Sequence, residues 1–259
     1  MSTLSAIIPT FNRRDIVLRA IASVDAQTRR VDEIIVVDDG STDATTEALI
    51  PRQHDDMLPP LRIIRQENGG PAAARNAALR VARGDLVAFL DDDDVWHPDK
   101  VARQLEIFAA DTELALLACS SDTLNFPGKP GVRRVGVWRL LWRNVFLTPC
   151  VIARREAILE CGGFPEDMRH CEDYALWLRM VSRYECAFLN EVLVTCGDGK
   201  PSFGHSGLSA DLAGLHNGEI EALRRWRLAT GSGPATYWSA RLLAFLRHWR
   251  RRIVAGSRA

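Results

Sequence analysis

Four consecutive carboxylates, Asp91-Asp92-Asp93-Asp94, follow directly on the apolar run 86–90. Two such charges about 4 Å apart repel by about 1 kcal/mol in water and about 4 kcal/mol at an effective dielectric of 20. A positive partner is therefore expected beside them. An oxygen-only donor set suits Mg²⁺ or Mn²⁺, which takes one or two carboxylates and completes its shell with substrate phosphates and water. The alternative is a solvated acidic turn at the start of the next helix, with Asp94 or Asp99 near its positive end. An EF-hand is excluded, because its sixth loop position would be Trp96 and not glycine. A second pair, Asp38-Asp39, ends the apolar run 33–37. It can accept from a base N–H or a ribose hydroxyl, or serve only the turn Gly40-Ser41-Thr42-Asp43 and the helix after it.

Two nucleotide signatures are missing. The first βα turn lacks G-x-G-x-x-G, and no G-x-x-x-x-G-K-[ST] occurs anywhere. A nicotinamide oxidoreductase and a P-loop nucleotidase are both disfavoured. Five other segments stand in a fixed order: Ile8-Pro-Thr-Phe-Asn12, Val36-Val-Asp-Asp-Gly-Ser-Thr-Asp43, Asn68-Gly-Gly-Pro-Ala-Ala-Ala-Arg-Asn76, Phe89-Leu-Asp-Asp-Asp-Asp-Val-Trp96 and Glu172-Asp-Tyr-Ala-Leu-Trp-Leu-Arg179. Each alone is weak. In this order and spacing the chain resembles the inverting family 2 glycosyltransferases of GT-A fold, over roughly residues 4 to 206.

The resemblance implies roles for matching positions. Thr10, Phe11, Asn12, Asp38 and Asp39 would hold the nucleoside of a sugar nucleotide, with Arg75 closing over the base. The D-x-D motif falls on Asp91, Asp92 and Asp93; Asp93 would bind the metal (Mg²⁺ or Mn²⁺), and Asp92 would lie near the donor ribose or sugar. Asp173 would be the catalytic base, with Glu172 beside the acceptor. Read without the family, Asp173 is a first-turn acid favoured by the helix dipole. Trp177 and Met180 are expected in the core, not as sugar platforms. Many relatives carry a Tyr-Arg-x-His-like stretch after the last core strand; here its best match is His205, in a longer Gly- and Pro-containing loop. His205 is either a metal or phosphate ligand or an exposed loop residue. The Q-x-x-R-W signature of processive synthases is absent, which favours one sugar per event. A UDP-sugar is the default donor, a carbohydrate or lipid-linked molecule the acceptor, and surface polysaccharide or glycolipid assembly the setting. The rivals are an inactive sugar-nucleotide-binding scaffold at a membrane and a sugar-1-phosphate nucleotidyltransferase, although Pro9-Thr-Phe-Asn-Arg13 is not a triphosphate-cradling loop.

The elements that position these groups follow from periodicity. Apolar runs at 4–8, 33–37, 61–64, 86–90 and 114–119 read as strands, and helical spacing recurs over 13–27, from the Asp38 turn through Leu49, from Pro71 to Gly84, and over 98–110. Asn12 or Thr10 is available to cap the first helix. Alternating β and α with short connections implies an α/β fold with a mostly parallel sheet covered on both faces, ligands binding off the carboxyl ends of its strands. Beyond residue 120 the reading is an edge strand within 121–136, a strand at 145–152, a short helix at 155–161, a stronger one at 172–183, and two more helices from about Leu208. The domain division is then 1–206, made of a nucleotide-sugar half (1–120) and an acceptor half (121–206), followed by a basic helical extension at 207–259.

Composition agrees with a soluble globular class. Of 259 residues 47% are apolar and 25% charged, with 33 basic against 33 acidic, which argues against a nucleic-acid coat. Six cysteines with no C-x-x-C pair, no secretory-type start and no run long enough to span a bilayer point to a cytoplasmic protein with reduced thiols. From Ala222 onward there are nine Arg and no acid. In the last helix Trp238, Leu242, Phe245, Leu246, Trp249 and Ile253 share one face of about 100°. That face either lies in a membrane interface, drawn by anionic lipid, or packs on the catalytic domain and leaves a solvated Arg face.

Overall fold

The computed structural model describes residues 2–124, 129–197 and 210–256. Its first half is the alternation expected, with one short strand (β5) added: β1 (Leu4–Thr10), α1 (Arg14–Asp25), β2 (Glu33–Asp38), α2 (Thr45–Gln53), β3 (Leu61–Arg65), α3 (Gly70–Val81), β4 (Leu86–Phe89), β5 (Val95–Trp96), α4 (Lys100–Ala110) and β6 (Leu114–Ser121). The second half adds β7 (Val132–Arg134), α5 (Val137–Trp142), β8 (Val151–Arg154), α6 (Arg155–Glu160), α7 (Glu172–Val181), β9 (Glu185–Thr195), α8 (Leu212–Thr230) and α9 (Pro234–Gly256). Much of the stretch expected as a strand at 145–152 is a loop and a 3-10 turn at Thr148–Cys150, where Pro149 cannot donate to a ladder. Arg13, not Asn12 or Thr10, stands at the cap position of α1, and no side chain caps that helix.

One sheet runs β3-β2-β1-β4-β8-β6-β9-β5, with β7 on β9. The β3-β2-β1-β4 half is parallel. Beyond it the sheet is mixed, not the mostly parallel one expected: β6 and β9 run parallel, but β8 is antiparallel to both β4 and β6, and β5 and β7 are antiparallel to β9. Apolar runs report burial, not strand direction, so the sequence could not distinguish the two. Every residue of β4 and β6 is buried, which means both faces of the sheet's centre are covered. Phe164 packs edge to face on Phe89 and on Trp177 (centroids 5.3 and 5.7 Å), and Phe89 and Trp177 lie tilted at 6.3 Å, so α7 is anchored to the strand that leads into the aspartates. Trp177 and Met180 are fully buried, as expected.

The carboxy-terminal helices join this same core. Ala222, Leu223 and Trp226 of α8 and Tyr237, Ala240 and Ala244 of α9 are buried in it, and the Trp226 indole donates to the Ser182 hydroxyl just after α7 (2.9 Å).

Candidate functional site

Parallel register brings the strand-end groups to one level. Thr10 pairs with Asp38 across β1 and β2, while Ile7 pairs with Phe89 across β1 and β4. Three residues beyond each of the last pair lie Thr10 and Asp92, and the Thr10 hydroxyl donates to Asp92 Oδ2 at 2.8 Å. A cavity of about 910 Å³ opens at this edge, with Thr10, Phe11, Asp39, Arg75 and Asp91–Asp93 in its wall. That volume lies within the range of pockets that take small ligands and cofactors.

Asp39 is held by the segment that leads into α3. Its carboxylate accepts from Gln66 Nε2 (2.7 Å) and from the backbone N–H groups of Gly69 (2.9 Å) and Gly70 (2.7 Å). Two glycines make this approach possible. Gly40 has φ +83° and would place a Cβ 2.9 Å from the Asn68 backbone nitrogen; Gly70 has φ +85°. Asp38 is fully buried and turned away from the cavity, accepting from the Ser41 backbone N–H (2.8 Å) and the Thr46 hydroxyl. Asn12 is also spent on the scaffold: its Oδ1 accepts from the Thr42 N–H (2.8 Å) and joins the two loops after β1 and β2. Of the residues assigned to the nucleoside by resemblance, Thr10, Phe11, Asp39 and Arg75 therefore meet in the cavity wall, and Asn12 and Asp38 brace it from behind.

The four aspartates divide. Asp91 Oδ1 accepts from Arg75 (2.7 Å), and Asp93 lies 3.7 Å from the Arg13 guanidinium with 37% of its side chain exposed. Burial pushes Asp92 up to about 6, against the Thr10 hydroxyl, which holds it down. Asp94 points elsewhere. It is buried, accepts from the Gly197 backbone N–H (2.7 Å), and its carboxyl is pushed up to about 10 by that burial and by Cys196.

Among the described residues no three His, Cys, Asp or Glu side chains group as a ready cation cage. The donor set still fits Mg²⁺ or Mn²⁺, because Asp92 and Asp93 present carboxylate oxygens in the wall of a cavity wide enough for phosphate and water to complete the shell. His205, the other expected metal contact, lies outside the described residues.

Arg75 connects two of the motifs. Its guanidinium donates to Asp91 and to Glu172 Oε1 (2.9 Å), and its Cζ stands 5.4 Å from the Phe164 ring centroid. Burial alone would lower its pKa, but the charges of Asp91 and Glu172 outweigh that and hold it above the ordinary arginine value. Next to Glu172, Asp173 Oδ1 accepts from the Tyr174 N–H (2.6 Å) and Oδ2 from the Thr148 hydroxyl (3.4 Å). Burial, reinforced by the Glu172 charge, pushes Asp173 up to about 7. A carboxylate tuned to that range suits a general base near neutrality. Cys171, which precedes the pair, has φ 59°, and Asn12 has φ 52°; these are the only non-glycine residues with positive φ among those described. Both flank the site, where such strain is commonly held in place by its surroundings.

Sequence reasoning missed one wall of the cavity. Glu166, Asp167, Met168 and Arg169 form it, together with Arg13. Asn76 holds this loop through Phe164, donating to its carbonyl (2.7 Å) and accepting from its N–H (2.9 Å). From the other side Arg225 of α8 donates two hydrogen bonds to Asp167 (2.8 and 2.6 Å). No local pattern marks the loop; the one available signal was its position just before Glu172.

A profile of the family described as Glycosyl transferase family 2 matches residues 5–156. Among curated relatives, an uncharacterized glycosyltransferase of Rickettsia felis is 32% identical over 186 residues, covering 70% of this chain and 30% of that protein. The chain thus spans less than a third of the length of that relative. An Escherichia coli protein named UDP-Glc:alpha-D-GlcNAc-diphosphoundecaprenol beta-1,3-glucosyltransferase WfaP is 31% identical over 199 residues, covering 71% of this chain and 72% of that one. Staphylococcus aureus TarS 1-349 in complex with UDP-GlcNAc superposes with a TM-score of 0.75 at 20% identity, covering 96% of this chain and 73% of that one. Mannosyltransferase PcManGT from Pyrobaculum calidifontis, in complex with GDP-Man and Mn²⁺, gives 0.72 at 22% identity, covering 95% and 70%. At such identities the two structures establish the fold, which is GT-A. The profile spans more than half of the sequence, and by that match the chain belongs to glycosyl transferase family 2.

Proposed function

We propose that the protein transfers a sugar from a nucleoside-diphospho-sugar, by preference a UDP-sugar, to the hydroxyl of a carbohydrate or lipid-linked acceptor, with inversion at the anomeric carbon. The observation that carries this reading is the convergence of Asp39, Asp91, Asp92 and Asp93 on one cavity, with Arg75 linking it to Glu172 beside Asp173. The curated name of the E. coli relative, which states a UDP-linked donor and a diphosphoundecaprenol-linked acceptor, supports the substrate classes and a setting in polysaccharide or glycolipid assembly.

Asp39 and the backbone around Gly69 would take the nucleoside, and Asp173 takes the proton from the acceptor hydroxyl as that oxygen bonds to the anomeric carbon. The bond to the diphosphate breaks in the same step and its electron pair leaves with the phosphate oxygen. Displacement from the opposite face inverts the centre without an enzyme nucleophile. Asp93, with Asp92 beside it, would hold a divalent cation, which when bound supplies positive charge to the diphosphate. Arg13 and Arg169, both in the cavity wall, add protein cations there.

Calorimetric titration with UDP, GDP and dTDP, each with Mn²⁺ and with EDTA, tests the reading. Metal-dependent binding of one nucleotide is expected. Absence of binding by all three in both conditions would overturn it.

A further inference from the structure

Helix α9 is amphipathic with its polarity reversed. The side facing the protein carries Ala240 and Ala244 together with Arg247 and Arg251, both of which reach Glu219 of α8 (3.5 and 2.7 Å). The bulky face points outward: Trp238, Leu242, Phe245, Leu246, Trp249 and Ile253 are 49–62% exposed. Packing of that face on the catalytic domain, one of the two placements open from the sequence, is thereby ruled out, and Arg247 and Arg251 are not on a solvated face. Helix α5 extends the patch. Arg247 donates to the carbonyls of Leu141 and Trp142, and Trp138 and Trp142 are 57% and 62% exposed. Eight of the fourteen exposed large apolar side chains of the described residues stand on these two helices. Surface hydrophobics concentrated in this way mark an interaction surface.

The rim is cationic. Arg241 lies over the Trp238 ring (5.2 Å), and Arg250 and Arg252 flank the outer face. Arg143 is close enough to Arg250 and Arg139 for their charges to add to burial in lowering its pKa. Against a second copy of the chain, a twofold contact would set these guanidinium groups against their own equivalents. An anionic bilayer meets both halves of the pattern, with tryptophans at headgroup depth and arginines on lipid phosphates. No helix among the described residues is long and apolar enough to cross a membrane, which leaves an in-plane contact.

We propose that the outer face of α9 and the tryptophans of α5 form one surface that docks on an anionic lipid bilayer. The docking follows from the surface alone; its use, presenting a lipid-linked acceptor to the cavity, rests on the transferase reading above.

The test is co-sedimentation of the full chain with vesicles of phosphatidylcholine alone and of phosphatidylcholine mixed with phosphatidylglycerol. Binding is expected only to the mixed vesicles, and the double variant Leu246→Glu/Trp249→Glu should weaken it by about tenfold or more. A second variant, Trp138→Ala/Trp142→Ala, should weaken it several-fold. Thermal melting of each variant controls for folding, since all four side chains are exposed. Failure of the wild-type chain to bind mixed vesicles, or binding at the wild-type level by both variants, would overturn the proposal. So would a wild-type dimer in sedimentation velocity that the first variant makes monomeric. Nucleotide titration without vesicles separates the two readings: vesicle binding without nucleotide binding sinks the transferase reading alone, and the reverse sinks the docking alone.

Discussion

The Arg75 guanidinium meets the Glu172 carboxylate at 2.9 Å across 97 positions of sequence, and with its other amino group holds Asp91. One buried cation thereby fixes the distance between the strand-end aspartates and the start of α7, where Asp173 stands. Breaking a buried charged network by removing one partner typically costs about 3–5 kcal/mol. Arg75→Gln should cost that order of stability, measured by denaturant unfolding. It should also move the acidic limb of the pH–rate profile to higher pH, because Arg75 is one of the charges that lower the pKa of Asp173.

Asp173→Asn tests the proposed base. Transfer should fall by about 10²–10⁴-fold, with nucleotide affinity within a few-fold of wild type by calorimetry. In the wild type kcat/KM should rise with pH through about 7 as Asp173 ionises, and this limb should be missing from the residual activity of the variant. Normal turnover by the variant would remove Asp173 from the role.

The same carboxyl makes a prediction about stability. Its folded-state pKa, about 7, lies above the unfolded value of about 3.9. The folded protein therefore binds the extra proton between those values, and this group's contribution to stability falls as pH rises through that window. Asp173→Asn should flatten that fall. Melting temperatures of the two proteins at pH 5 and pH 8 measure it, and the variant should gain relative to wild type at the higher pH.

Thr10→Val removes the one hydroxyl among the described residues that donates to Asp92. A buried carboxylate left short of a donor costs about 1–3 kcal/mol. We expect a lower melting temperature at pH 8, and Mn²⁺-dependent nucleotide binding weakened several-fold. Unchanged binding would place Asp92 outside the donor site.

Arg169 is exposed in the cavity wall and makes no ion pair to a described residue. If it meets the diphosphate, Arg169→Ala should weaken UDP binding by about tenfold, the loss of one charged hydrogen bond of about 1.5 kcal/mol. Its melting temperature should not change. Unaltered UDP affinity with a raised acceptor KM would move Arg169 to the acceptor side.

The sequence alone determined the long strands of the first 120 residues and the acidic turns that end them; it left β5 and β9 unplaced and put a strand at 145–152 where only Val151–Arg154 pairs. Runs such as 33–37 and 86–90 are continuously apolar because both faces of the strand are buried, and the carboxylates after them sit where such sheets bind ligands. Local pattern also placed Trp177 and Met180 in the core. It could not separate Asp39, which faces the cavity, from Asp38, which faces a turn, because adjacent side chains point opposite ways and only the neighbouring Gly69–Gly70 segment decides which is wanted. Nor could it reverse α9. A helical wheel identifies an apolar face but not what covers it, and here Glu219 claims the Arg247–Arg251 side for the interior. Strand direction beyond β4, the loop at 166–169 and the link from Arg75 to Glu172 were likewise settled by tertiary packing, since each depends on contacts between segments far apart in the chain.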